Sequence, residues 1–319
     1  MTKLAALRTG IVLATIVCLS CGGGSSTTTA PTTPTTPTTP ATPTPTPIPT
    51  VPSAPQVFVG AGDIAQCGAL DPARATASLL DLIGGTVFTL GDNAYFQGSA
   101  NDFNDCYDPT WGHHKGRTFA TVGNHEYETF PGASPYYAYF GAAAGPTPGL
   151  GYYAYDVGDW RIISLNSNYR NGVPVDTRSA QYAWLVNELN THTNKCTMAL
   201  WHHPLFTSGP NLPNTDMRDF WNLLYSKGVD VVLNGHEHFY ERFAPQDPNG
   251  RPDPAKGITE FIAGTGGAAL YDFQTHAANS VRQYKGWGVL KMTLLTDSYS
   301  WEFIPVSGAI PDSGSASCH

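Results

Sequence analysis

Five short clusters hold the residues of this chain that could do chemistry: Gly62-Asp63-Ile64, Gly91-Asp92-Asn93-Ala94-Tyr95, Gly123-Asn124-His125-Glu126, Trp201-His202-His203-Pro204 and Gly235-His236-Glu237-His238. Carboxylate, amide and phenolate oxygens and imidazole nitrogens are the lone-pair donors that hold hard and borderline cations. Each cluster follows an apolar run that reads as a strand. A single Gly-Asp pair after a strand is an ordinary turn, and a single Asn-His an ordinary cap or loop. Five clusters in series, each at a strand end, instead suit a pair of metal ions and the hydrolysis that two metals support. Gly62, Gly91, Gly123 and Gly235 permit the sharp turn beside each donor. In His236-Glu237-His238, residues two apart in extended chain face the same side, so both imidazoles address one cavity.

The elements that must position these groups are legible as alternating patterns. Apolar runs at 56–60, 86–90, 118–122, 152–157, 160–166, 197–201 and 229–233 read as strands. Helical spacing covers 71–83, with Ala75, Leu79, Leu82 and Ile83 on one side, and also 179–189 and 216–226. The last third is strand-rich, at 260–263, 288–295 and 299–305. Strand-helix-strand alternation gives an α/β class, and the late strands suggest a second sheet. Polar groups gathered at strand ends are where an open α/β sheet builds its site.

The chain has 319 residues and a formal net charge of −8. An acidic chain of this kind is a poor grip for a nucleic-acid backbone, so no nucleic-acid partner is expected. Charged residues make up 13%, well under the roughly one quarter of an average soluble domain, a bias that leans towards export. Lys3 and Arg8 precede the apolar stretch 11–19, which is too short to span a bilayer. Residues 1–20 read as a signal peptide. Cys18-Leu19-Ser20-Cys21 resembles a bacterial lipobox, apart from Cys18 in a usually aliphatic place. The chain is therefore expected at the cell envelope or outer surface, lipid-anchored through Cys21, or else secreted. Residues 21–53 form a Thr/Pro-rich linker that cannot bury apolar surface and would run extended. A folded domain over 54–306 and a tail over 307–319 complete the expected organisation. Cys67, Cys106, Cys196 and Cys318 allow three pairings in an exported chain. Cys67 with Cys106 is the first choice, because each follows a motif-bearing strand, and it leaves Cys196 with Cys318.

Taken in order, Asp63, Gly91-Asp92-x-x-Tyr95, Gly123-Asn124-His125-Glu126, His202 and Gly235-His236-x-His238 resemble the calcineurin-like metallophosphoesterases, and within them the purple acid phosphatases. Tyr95 decides the branch, since most relatives carry Asp-x-His at the first motif, where this chain has Ala65. The resemblance spans roughly 57–306. It implies a four-layer α-β-β-α sandwich of two mixed sheets flanked by helices, with the metal site at the C-terminal ends of strands. It also implies that Asp63, Tyr95 and His238 bind Fe(III), that Asn124, His202 and His236 bind Zn, Mn or Fe(II), and that Asp92 bridges the two. A phenol with an ordinary pKa near 10 becomes a phenolate only beside a strong Lewis acid, which suits the tyrosine to a trivalent ion. Ala65 and Ala199 depart from the family pattern at supporting positions. The chain also lacks room for the N-terminal β domain of the large plant enzymes.

The implied activity is hydrolysis of small phosphomonoesters by attack of a metal-bound hydroxide, with His125 as the acid or electrostatic stabiliser and His203 as a phosphate contact. Small phosphodiesters, a redox role for an iron pair, and a non-catalytic surface protein are the competing readings. Glu126 is expected to orient a ligand rather than to bind metal. Tyr240, Glu241 and Arg242 line the substrate mouth or form a local ion pair. His113 and His114 belong to a solvated or interfacial loop, and His192, His276 and His319 to the surface. The run Tyr136-Tyr137-Ala138-Tyr139-Phe140 reads as core rather than pocket wall.

Overall fold

The computed structural model describes Gly24 and residues 54–319. The expected leader at 1–20, the expected acylation site Cys21 and, Gly24 aside, the expected linker at 21–53 lie outside the described residues. In chain order the first half contains β1 (Gln56–Ala61), β2 (Ala65–Gln66), α1 (Asp71–Leu82), β3 (Thr86–Thr89), β4 (Ala94–Tyr95), α2 (Ala100–Asp102), β5 (Thr118–Phe119), α3 (Ser134–Phe140), β6 (Tyr153–Val157) and β7 (Trp160–Ser164). The second half contains α4 (Ala180–Thr191), β8 (Cys196–Leu200), α5 (Arg218–Ser226), β9 (Val231–Asn234), β10 (Tyr240–Phe243), β11 (Thr259–Ala263), β12 (Ser280–Tyr284), β13 (Gly288–Leu294), β14 (Ser298–Pro305) and β15 (Asp312–Ser317).

Two mixed sheets result. The first runs β15-β14-β13-β1-β3-β5, and the second runs β12-β10-β11-β9-β8-β7-β6. β1, β3 and β5 are mutually parallel, as are β7, β8, β9 and β11. The strand pairs at the margins are antiparallel. β14 alternates intermediate and buried residues along its whole length, the signature of a strand with one face in the core. Phe58, Phe88, Met292 and Phe303 of the first sheet meet Ile162, Met198, Leu233 and Phe261 of the second, so the sheets pack face to face. α1 and α3 cover the outer face of the first sheet, and α4 and α5 that of the second. This is the expected four-layer order.

Two helices show why the sequence folds this way locally. α1 starts with Asp71 and Pro72 in its first turn, where a missing N–H costs nothing. It buries Ala73, Thr76, Ala77 and Leu80, at i, i+3, i+4 and i+7. That is not the face expected from sequence, and Leu82 is 84% exposed. Apolar residues lie on both faces of this helix, and the small side chains of Ala73 and Ala77 are the ones set against the sheet. α4 is capped by Ser179, whose Oγ accepts the Tyr182 N–H at 3.1 Å.

The C-terminus differs most from expectation. Residues 307–319 are not a tail, because 312–317 form β15, the edge strand of the first sheet. The cysteines pair Cys67–Cys106 and Cys196–Cys318. The second bond joins the end of the chain to β8 of the other sheet. Asp312, buried at the start of β15, accepts two hydrogen bonds from Arg242 (2.7 and 3.0 Å), one from Tyr240 Oη (2.7 Å) and one from Trp301 Nε1 (3.1 Å). Tyr240 and Arg242 therefore belong to an ion-paired anchor rather than a substrate mouth. Glu241 is also fully buried and accepts from Ser208 and Ser280. No helix among the described residues is long and apolar enough to cross a membrane.

Candidate metal centre

The parallel strands of both sheets end at one place. Asp63 follows β1, Asp92 follows β3, Asn124 comes after β5, His202 follows β8 and His236 follows β9, while His238 leads into β10. Asp63, Asp92 and His236 all adopt left-handed backbone, with φ of 58°, 49° and 70°. Such conformations cost on the order of 1–3 kcal/mol each and persist only where the surroundings hold them. Here the surroundings include backbone packed too closely for side chains. A Cβ on Gly123 would lie 2.2 Å from Asp92 Oδ1, and one on Gly235 2.7 Å from Asp63 Oδ2.

The side chains converge. Tyr95 Oη lies 2.8 Å from Asp63 Oδ1, 3.2 Å from Asp92 Oδ2 and 3.0 Å from His238 Nε2. His238 Nε2 lies 3.1 Å from Asp63 Oδ1. On the other side, His202 Nε2 is 3.1 Å from Asp92 Oδ2, 3.1 Å from Asn124 Oδ1 and 3.2 Å from His236 Nδ1. All seven residues named from sequence thus meet, with Asp92 between the Tyr95 group and the His202 group.

The donor set fits cations. His202 Nδ1 faces the Leu90 carbonyl at 2.7 Å, and His238 Nδ1 faces the Ala269 carbonyl at 2.7 Å. A carbonyl can only accept, so each Nδ1 carries a proton and each Nε2 points inward, where on losing its own proton it offers a lone pair to a cation. Two carboxylates and an amide oxygen share that buried space, an arrangement that needs positive charge to hold it, from protonated imidazole or from bound cations. Donor atoms of Asp63, Asp92 and His202 lie within 4.8 Å of one another, as do those of His202, His203 and His236. Two other groupings do not fit a metal. Cys196 and Cys318, beside Asp230, are joined in a disulfide. At Asp81, His113 and His114, Arg117 donates to His114 Nδ1, so His114 Nε2 holds its proton towards Ala77 and Asp81. His114 is buried against α1 rather than lying in a solvated loop.

Electrostatics reflect the crowding. Burial alone would raise the Asp92 carboxyl, but His202 and then His125 hold it well below the usual carboxylate range. Burial would lower His202, yet Asp92 and Asp63 lift it to about 9. Burial and the charge on His202 bring His236 down to about 3. Burial, then Asp63 and Asp92, push the Tyr95 phenol well above its ordinary value, a balance that a trivalent cation would reverse.

Supporting groups complete the site. Glu126 is buried, and its carboxylate accepts N–H groups from Asp92 (3.1 Å), Asn93 (2.7 Å) and Gly123 (2.7 Å). It thereby ties the turn after β3 to that after β5, the orienting role expected of it. Burial and the nearby Asp92 push it up to about 7. His125 donates its backbone N–H to Asp92 Oδ1 at 2.9 Å and its Nδ1–H to Phe96 O at 2.6 Å, leaving Nε2 free 3.9 Å from Asp92 Oδ2. His203 Nδ1 meets Ser167 Oγ at 2.8 Å, and its ring lies 4.4 Å from that of His236. Sequence reasoning missed Tyr271, which stacks on His238 at 3.9 Å, and the Leu90 and Ala269 carbonyls. Backbone acceptors leave no residue-type signal. A cleft of about 800 Å³ opens beside Asn124, His203 and His236.

Residues 50–240 match the model of the calcineurin-like phosphoesterases. This chain belongs to that family. Within it, the chain is similar to the purple acid phosphatases. It is 29% identical over 238 residues to purple acid phosphatase 18 of Arabidopsis thaliana, covering 67% of this chain and 50% of that protein. It is 31% identical over 209 residues to purple acid phosphatase 1 of Ipomoea batatas, covering 59% of this chain and 43% of the relative. The chain thus spans half or less of the length of these relatives. Among solved structures, purple acid phosphatase PPD1 from yellow lupin superposes with a TM-score of 0.68 at 20% identity, over 83% of this chain and 54% of the lupin protein. That likeness establishes the shared calcineurin-like fold.

Proposed function

We propose that this calcineurin-like chain is an exported phosphatase that hydrolyses small phosphate monoesters at a dinuclear metal centre. Asp63, Tyr95 and His238 would hold Fe(III), Asn124, His202 and His236 would hold Zn, Mn or Fe(II), and Asp92 would serve both. The observation that carries this reading is the position of Asp92 Oδ2, 3.1 Å from His202 Nε2 and 3.2 Å from Tyr95 Oη. Two bound cations would supply Lewis acidity towards the phosphoryl group and a nucleophilic water at neutral pH.

The remaining work falls to side chains. Phe96 O fixes the Nδ1–H of His125, so Nε2 faces the centre, and the second proton of the imidazolium form can pass from it to the leaving alkoxide. His203 is pushed well below its ordinary value by burial and by His236 and His202, so it stays neutral. With Ser167 Oγ–H donating to Nδ1, its Nε2–H is available to a phosphoryl oxygen. Glu126 and the left-handed turns hold the donors in place before substrate arrives, so little reorganisation is needed during the reaction.

His125→Ala should lower kcat by about 10²-fold while leaving metal content unchanged. Equal turnover in the variant would remove His125 from the mechanism. The reading as a whole is tested by metal analysis, a visible spectrum and phosphate release on one purified sample. Two metals per chain, a tyrosinate-to-iron charge-transfer band and turnover are expected. A colourless zinc-only enzyme would defeat the iron assignment, and metal-replete protein that releases no phosphate would defeat the function.

A further inference from the structure

The cleft of about 800 Å³ beside Asn124, His203 and His236 falls within the roughly 300–1,000 Å³ that accommodates a drug-sized organic molecule. A phosphoryl group fills a small part of it, so most of the space faces the alcohol side of an ester. Among the described residues lining it, Arg170 is the one permanent cation, while Glu128 and Asp216 are carboxylates. Arg170 Nε donates to Tyr169 Oη at 3.0 Å. The walls also present apolar surface: Tyr169 and Leu212 are 36% and 81% exposed, and Pro210 and Pro213 flank Leu212.

We propose that this cleft selects phosphate monoesters of uncharged aromatic alcohols, with Tyr169 and Leu212 gripping the ring and Glu128 and Asp216 turning away esters that carry further phosphate groups. The inference rests on the phosphatase reading above. Each additional phosphate brings about −1.5 to −2 charge among side chains in which two carboxylates, Glu128 and Asp216, face one arginine. Like charges repel across such a cleft, and added salt weakens the repulsion. A flat ring is the group that uncovered tyrosine and leucine surface accommodates.

The test uses the full metal-replete chain and three esters: phenyl phosphate, glycerol phosphate and inositol hexakisphosphate. At low salt kcat/KM should be highest for phenyl phosphate and at least about tenfold lower for the hexakisphosphate. Glu128→Gln with Asp216→Asn should narrow that gap by about threefold, mainly through KM, with a smaller effect at high salt. Tyr169→Ala and Leu212→Ala should each raise KM for phenyl phosphate about threefold, leaving kcat and the glycerol phosphate KM unchanged. All four positions are exposed, so the variants should fold. A wild type that prefers the hexakisphosphate, a charge variant with an unaltered gap, or ring variants that raise KM for both simple esters equally would each overturn the selectivity while leaving the phosphatase intact. No phosphate released from any ester would defeat the phosphatase reading and this one with it.

Discussion

Asp92→Asn should leave the chain folded, release at least part of its metal and cut turnover on the order of 10³-fold. The folding expectation comes from the backbone. Asp92 sits at φ 49°, and Asn is among the few residues that tolerate left-handed conformation. The amide oxygen also remains available to the His125 N–H that now meets Oδ1 at 2.9 Å. The loss comes from charge. The carboxylate lies between the Tyr95 and His202 groups, so a neutral amide weakens the hold on both proposed cations. Several kcal/mol of Lewis-acid stabilisation at the phosphoryl group goes with it, and about 4 kcal/mol corresponds to that loss of rate. Metal analysis and steady-state kinetics on the variant decide the matter. Two metals retained with unaltered kcat would mean that Asp92 joins nothing.

The second large effect lies at the other end of the chain. Asp312→Ala should destabilise the fold by about 3 kcal/mol, the lower end of the cost of stripping one partner from a buried ion pair, since Arg242 stays partly exposed. Two more donors, Tyr240 Oη and Trp301 Nε1, lose their acceptor as well. Acid should expose the same interaction in the wild type. Burial would raise the Asp312 carboxyl, but Arg242 and Tyr240 outweigh it and hold it below its ordinary value. The folded chain therefore binds fewer protons at this site than the unfolded one. The stabilisation is complete above the unfolded pKa of about 3.9 and fades as pH falls through the lower folded value. Denaturant melts of wild type and variant between neutral and acid pH check both points. Coincident midpoints at neutral pH would show the anchor to be ornamental. Tyr240 follows His238 by two residues, so activity should be lost at a lower temperature in the variant even though Asp312 takes no part in the chemistry.

The motifs of the candidate metal centre are legible because Asp63, Asp92, Asn124 and His236 each follow a glycine at the end of an apolar run, and both signals are local. The parallel strands then bring those ends together, so order along the chain translated into neighbourhood in space. Long-range pairings left no such trace. Arg242 meets Asp312 from 70 positions away, and nothing near Arg242 names that partner. The weakly apolar sequence 312–317 reads as a tail because it lies at a sheet edge with its outer residues exposed. The strand expected over 118–122 pairs regularly only at Thr118 and Phe119, since the chain then leaves the sheet to deliver Asn124. The buried face of α1 was misread because its apolar residues lie on both sides. The cleft walls at Tyr169, Arg170 and Leu212 come from segments between regular elements, where periodicity carries no information.

The bond between Cys196 and Cys318 has a consequence for how this protein would respond to a protease. Residues 306–310 form an exposed turn between β14 and β15. A cut after Ile310 would leave the nine-residue piece from Pro311 still sewn to β8, so the nicked molecule would migrate as one species until a reductant parted the two.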